Sequence, residues 1–241
     1  MFNKSKFYKI RPTIFTLLFS NALYLAVYDL IGGAMFTPIQ NDILNKIVRL
    51  KKAQKRFEES IQKHDRNVKL TSFSDPNNLL DMLNSELADD TGKAPAISAL
   101  LWLKRGMWMF YYFVEITIES DGDVDLKKAF NQGYDKSLAK HHDWLVRTGI
   151  KMGLTVAAPS LDEFSEKMCS FEKIEEEIKP KNGTTEPEES SDVDFETCAS
   201  FTDEEQTVVV LEELGDYIKP MRNVLDVIDE FYIEHDLDDL E

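Results

Sequence analysis

Two cysteines in 241 residues, Cys169 and Cys198, cannot build a disulfide framework, and neither stands in a CxxC or Cys/His spacing of the kind that holds zinc. A fold stapled by cross-links or by metal is therefore not expected, and a reducing, cytoplasmic setting is. Proline and glycine are scarce, at 8 and 10 residues. No stretch keeps strand-like alternation for more than a few positions, so a turn-rich β architecture has no support. A phosphate loop, a nucleophile elbow and paired carboxylates are missing as well. His-Asp pairs occur at 64–65, 142–143 and 235–236, a combination that metal-dependent phosphohydrolases use, but they stand in three unlike contexts. No set of residues fills the roles that catalysis needs, so the chain reads as a protein that is not an enzyme and uses no metal or cofactor.

Positive charge is what the last third lacks. Residues 161–241 carry 6 Lys and Arg against 27 Asp and Glu, whereas residues 1–160 carry 22 against 17. Binding to nucleic acid needs a concentrated basic surface, so it is not expected here. The mildly basic front suits an anionic membrane or ligand instead. The opening "MFNKSKFYKIRPTIFTLLFSNALYLAVY" has a basic start and an apolar run, the outline of a leader or anchor. Thr13, Thr16, Ser20, Asn21 and Asp29 interrupt that run, and no small-x-small cleavage site follows it. A core helix is the expectation.

What is present is helical periodicity. With 43% hydrophobic and 11% aromatic residues, the chain can bury a substantial core. Ile14 to Leu30 is apolar nearly all round, and the "GG" at 32 and 33 breaks it. From Pro38 to about Phe57, Ile39, Ile43, Ile47 and Leu50 recur at helical spacing. "SDPNNLLDMLNSEL" opens with a cap residue and a proline suited to a first turn. Ala94 to Ile118 is the most apolar helix, with Lys104 and Arg105 its only charges before Glu115. Residues 123–154 give one or two more helices, and "SLDE" at 160–163 reads as a capping box. Residues 179–205 mix Pro, Gly, Ser and acid without period and read as a flexible acidic insertion, after which helix resumes at "QTVVVLEEL". The fold class is all-α: seven to nine helices that pack in layers.

Several side chains offer chemistry. Asp42, Lys46 and Arg49, at steps of four and three, share one helical face. That face is either a solvated stripe with an i,i+4 ion pair or the polar half of a binding site. Trp102 on an apolar helix is commonly a core residue, but Lys104 and Arg105 beside it must leave apolar surroundings or pair within them. At a polar rim its flat ring would stack on a ligand. His142, in "AKHHDWLVR", either holds a helix end or donates to an amide or headgroup oxygen. Trp144 beside it is an amphipathic residue of the kind found at membrane interfaces.

Taken together and in this order, "IGGAMFTPIQNDILNKIVR", "LLWLKRG", "AKHHDWLV" and "AAP" resemble the glycolipid transfer protein family, from about Leu25 to Pro159. "NVLDVIDEFY" is similar to the family's closing helix. The resemblance implies one domain over 1–241, an all-helical two-layer sandwich of about eight helices that encloses the chains of one sphingolipid and carries it between membranes without ATP, with transient contact at the membrane surface. It also implies a headgroup centre at Asp42, Lys46, Arg49, Trp102 and His142. Asp42 would accept hydrogen bonds from the lipid amide or a sugar hydroxyl, His142 would donate to the amide carbonyl, and Trp102 would stack. Physical chemistry agrees, since each CH₂ exposed to water costs about 0.8 kcal/mol and a carrier must shelter many of them.

The headgroup signals diverge. Glycolipid-selective members of the family usually carry Asn at the 46 position with Trp at 102, and ceramide-1-phosphate-selective members Lys at 46 with Arg at 98 and 102. This chain has Lys46, Ser98 and Trp102. Two missing arginines remove charge-assisted hydrogen bonds of roughly 1.5 to 3 kcal/mol each, so glycosphingolipid is favoured over ceramide-1-phosphate. A sphingolipid sensor or adaptor without efficient transfer is a further reading, because an acidic insertion would slow docking on anionic lipid. Within it, "SSDVDFETCAS", with Thr197, faintly resembles the phosphorylatable acidic tracts by which lipid carriers reach endoplasmic-reticulum receptors, so segment 190–200 is a candidate receptor contact.

Overall fold

The structure, a computed structural model, describes residues 37–65, 77–89, 94–120, 125–178 and 201–239. The expected helix over 14–30, the Gly-Gly break and residues 179–200, including the Thr197 segment, lie outside the described residues. Within them run seven α-helices and one 3₁₀ turn: α1 (Thr37–Asp65), α2 (Leu79–Leu87), α3 (Pro95–Glu119), α4 (Leu126–Ser137), the 3₁₀ turn (Ala139–His141), α5 (Trp144–Ala157), α6 (Leu161–Ile178) and α7 (Asp203–Glu234). The all-α layered fold read from periodicity is the fold observed.

The centre is α3. Its buried residues, among them Ile97, Leu100, Leu103, Met107, Phe110 and Val114, fall on every side of the helix, as its unbroken apolar sequence requires. Helices α1, α4 and α7 pack against it, and α6 packs against α7. Helix α1 contributes Ile43, Ile47, Leu50, Ala53 and Phe57, one stripe at helical spacing, and runs on to Asp65.

Helix starts follow capping chemistry. Pro95 occupies the first turn of α3 and Ala94 offers no side-chain cap. Glu86, at the end of α2, supplies it: one carboxylate oxygen accepts from the N–H groups of Ala96 at 2.8 Å and Ile97 at 2.9 Å. An anion on orphan amides at the positive end of the helix dipole is favourable twice over. The cap of α2 is Asn78, whose Oδ1 accepts from Leu80 N–H at 3.0 Å, a few residues beyond the Ser-Asp-Pro start expected. Ser160 caps α6 by accepting from Glu163 N–H at 3.2 Å. Thr202 and Glu205 form a full capping box at the head of α7. Residues 203–205, which composition had assigned to the acidic insertion, are therefore helix: their acids stabilise a helix start.

Among the described residues no helix is long and apolar enough to cross a membrane, and no cluster of His, Cys, Asp and Glu is placed to hold a metal ion. Asp143 of one His-Asp pair is instead the cap of α5, accepting from Val146 N–H at 2.9 Å. Cys169 is buried on α6 and disulfide-bonded.

Helices α3 and α4 approach so closely that one position admits no side chain. A Cβ on Gly133 would stand 2.7 Å from the Met109 carbonyl oxygen and 3.0 Å from the Phe113 nitrogen, both backbone atoms. The contact brings Phe113 and Phe130 into a parallel stack, ring centroids 3.6 Å apart. Gly133→Ala should therefore lower stability by about 1 to 3 kcal/mol, the usual cost of overpacking, despite alanine's better helix propensity. Thermal denaturation checks this, and an unchanged or raised Tm would contradict the close approach.

Candidate ligand-binding site

Where α1, α3, α4 and α5 meet, the structure holds a cavity of about 320 Å³. Its walls are mainly apolar, with Ile39 and Ile43 from α1, Leu103 and Met109 from α3, and Ile150 and Leu154 from α5. Four of the five residues predicted from sequence line it: Asp42, Lys46, Trp102 and His142. Arg49 does not. It lies about one turn further along α1, exposed to solvent, where the helix has already passed the cavity.

The α1 pair sits at the edge because the Ile43, Ile47 and Leu50 stripe turns the adjacent face toward the cavity. Asp42 and Lys46 form an i,i+4 ion pair. The lysine side chain is 15% exposed and the aspartate 65%, so the ammonium is covered while the carboxylate opens to solvent. The Lys46 ammonium also lies 6.0 Å from the centroid of the Trp102 ring. Trp102 is half-buried, its ring stacked on His142 at 5.7 Å and 13°. The Arg105 guanidinium lies 4.9 Å from the same ring. Of the two outcomes open to Lys104 and Arg105, pairing within buried surroundings is the one observed: Lys104 donates to Asp229 of α7 and Arg105 to the Asp238 carbonyl beyond it.

His142 is held by a residue that sequence reasoning missed. Its Nδ1 lies 2.8 Å from the hydroxyl of Tyr134, which is fully buried on α4. Burial pushes the Tyr134 hydroxyl up to about 12 and holds the His142 ring neutral, so a single hydrogen lies between the two groups. With Tyr134 donating, Nδ1 accepts and the ring proton sits on Nε2, where that N–H can meet a ligand; with Nδ1 protonated, the hydroxyl accepts. Burial holds the His142 ring below the ordinary histidine range; Asp143 opposes this, and Arg105 and Arg147 add to it. No spacing rule points to Tyr134, because a 3₁₀ turn and a loop residue separate it from His142. Its one signal is a tyrosine directly after the glycine at the closest helix crossing.

Two consequences of this geometry are measurable. Imidazole ¹⁵N shifts should show His142 as the Nε2–H tautomer at neutral pH with a midpoint below 6.5, and Tyr134→Phe should mix the tautomers while leaving helix content intact. A protonated His142 at pH 7 would contradict the assignment. His141 is also depressed, to about 4, by burial first and then by Arg105. For both rings the unfolded state takes up its proton first as pH falls below 6.5, so acidification through that window removes stability. Tm should fall between pH 7 and pH 5, and less steeply in the His141→Gln/His142→Gln variant; parallel curves would show that other groups set the slope.

Comparison with known proteins places this chain in a family. The family model described as glycolipid transfer protein (GLTP) matches residues 15–170. The chain is 30% identical over 140 residues to pleckstrin homology domain-containing family A member 8 of Rattus norvegicus, across 57% of this chain and 24% of that protein. It thus spans about a quarter of that relative. To glycolipid transfer protein B of Xenopus laevis it is 28% identical over 160 residues, across 63% of this chain and 68% of that one. Among solved structures, human ceramide-1-phosphate transfer protein in complex with 12:0 ceramide-1-phosphate shares the fold with a TM-score of 0.65 at 18% identity, covering 97% of this chain and 92% of that one. A structure on how FAPP2 selects simple glycosphingolipids using the GLTP-fold gives 0.64 at 22% identity, covering 95% and 89%. With the family's pattern matched over well beyond half its length and the fold shared, this chain belongs to the glycolipid transfer protein family.

Proposed function

We propose that this protein binds one sphingolipid, glycosphingolipid in preference to ceramide-1-phosphate, and moves it between membranes without chemistry. The observation that carries the reading is the convergence of Asp42, Lys46, Trp102 and His142 on one apolar-walled cavity. A few polar groups at the mouth of a dry cavity are what a lipid with a polar head needs. Asp42 offers an exposed carboxylate to the amide N–H or to sugar hydroxyls, and the Nε2–H of His142 donates to the amide carbonyl. Trp102 gives a sugar ring a flat apolar face.

Charge placement favours the sugar. Among the described residues Lys46 is the one lysine or arginine lining the cavity, and Asp42 already pairs with it. Arg49 points to solvent and Arg105 is committed elsewhere. A dianionic phosphomonoester would meet one neutralised ammonium, while neutral hydroxyls can share both members of the pair.

Delivery needs contact with a bilayer, and α5 is built for it. Val146, Ile150 and Leu154, four residues apart, line the cavity, while Trp144, Leu145, Met152 and Val156 are exposed, Trp144 at 72% and Val156 at 75%. A helix apolar on two faces, one of them in water, has surface to bury in a lipid interface.

Intermembrane transfer tests the reading. Purified protein should move labelled glucosyl- or lactosylceramide between vesicles faster than spontaneous exchange. Asp42→Val should reduce that rate more than tenfold while leaving the helical circular dichroism largely intact, because the Asp42 side chain is itself 65% exposed. Trp144→Ala should slow transfer in proportion to weakened vesicle binding. Wild-type protein that moves no sphingolipid would end the proposal, and an Asp42→Val protein that unfolds would make Asp42 structural.

A further inference from the structure

Beyond α7 the chain reverses. Asp236 adopts a left-handed conformation at φ 55°, and Leu237 N–H donates to the Tyr232 carbonyl at 2.9 Å. The turn lays Asp238 back on α3 beside a second cavity, of about 390 Å³, between α3, the end of α4, the 3₁₀ turn and α7. This cavity is charged. Lys104, Arg105, Lys136, Lys140 and Arg222 line it. Of its four carboxylates, Asp226 and Asp229 belong to α7, and Asp238 and Asp239 to the returning tail.

The partners are unequally committed. Asp226 accepts from Arg222 at 3.0 Å. Asp229 accepts from Lys104 at 2.7 Å and from the Trp108 indole N–H at 2.8 Å. Asp238 presents two oxygens to neighbouring cations: its carboxylate accepts from Lys104 and its backbone carbonyl from Arg105, each at 2.5 Å. Lys104 and Arg105 are 4% and 6% exposed, so whatever lies on them must be an acceptor. The Asp238 side chain is 48% exposed, within reach of an exchanging solute. At the rim, Lys136 stands 5.0 Å over the Tyr112 ring and Lys140 is exposed, and neither has a carboxylate partner among the described residues.

We propose that this cavity is a binding site for a phosphate ester and that the Asp238–Asp239 segment occupies it as an internal surrogate. One phosphate offers adjacent acceptor oxygens to Lys104 and Arg105, as the carboxylate and carbonyl of Asp238 do. Lys136 and Lys140 supply charge that the tail leaves unanswered. With the tail displaced, five cations face two carboxylates. The exchange also reaches the first cavity, because the guanidinium held by the tail lies over the Trp102 ring. The site does not depend on which lipid that cavity carries.

Calorimetry on the full chain with inorganic phosphate and glycerol 3-phosphate tests this, alongside sedimentation with phosphatidylcholine vesicles containing phosphatidic acid. The Asp238→Asn/Asp239→Asn variant should bind roughly tenfold more tightly than wild type, the scale of one charge-assisted hydrogen bond. Lys136→Ala/Lys140→Ala should weaken binding severalfold in either background, with circular dichroism unchanged; Asp238→Asn alone serves if the double variant misfolds. Binding of the soluble probes identifies a free phosphate ester as the ligand, and enrichment only on phosphatidic acid vesicles identifies a lipid headgroup. Absence of binding by every probe in both wild type and tail variant overturns the proposal, as does binding indifferent to Lys136 and Lys140.

Discussion

Everything in this molecule is arranged around the burial of α3. A 25-residue helix with apolar side chains on every face cannot rest against a single neighbour, so α1, α4 and α7 must all pack on it. The same requirement makes its buried polar groups costly, and several are answered from another part of the chain. Glu86 of α2 satisfies its first amides, Tyr232 of α7 donates to the Ile97 carbonyl at 2.5 Å, and Asp229 and Asp238 meet Lys104. These long-range partners tie sequence-distant segments to one helix. The residues of α3 that line the two cavities are held in place by that arrangement.

The two cavities on either side of Trp102 and Arg105 illustrate how a single helix presents opposite chemistries. Toward α1 and α5, α3 shows Trp102, Leu103 and Met109 to an apolar space with a thin polar edge. Toward α7, it shows Lys104, Arg105 and Trp108 to a charged one. Neutral His142, fixed by Tyr134, adds a donor without adding charge to the apolar side. A mouth that is polar but nearly uncharged suits a sugar and an amide better than a phosphate.

Much of this was legible in the sequence, and the limits are physical. Periodicity of 3.6 located α1, α3 and α7 because their apolar faces recur over many turns, whereas ends were misplaced where a cap decided them: Asn78 in place of Ser74, and Thr202 inside a stretch that composition read as acidic loop. Asp42, Lys46, Trp102 and His142, which a motif carries together, line one cavity. Arg49 shares their helical face in sequence and does not line it, because a shared helical face does not fix how far a cavity extends along the helix. Tyr134 and the Asp238 clasp depend on contacts eight and more than a hundred residues apart across helix breaks, and local pattern does not encode those.

The proposed headgroup preference rests on Lys46, already paired with Asp42, lining the same cavity as Trp102. Glucosylceramide and ceramide-1-phosphate, presented to the purified protein in the same donor vesicles with separate labels, measure the outcome directly. The account predicts that glucosylceramide is transferred several times faster; faster transfer of ceramide-1-phosphate, or of neither lipid, would contradict it.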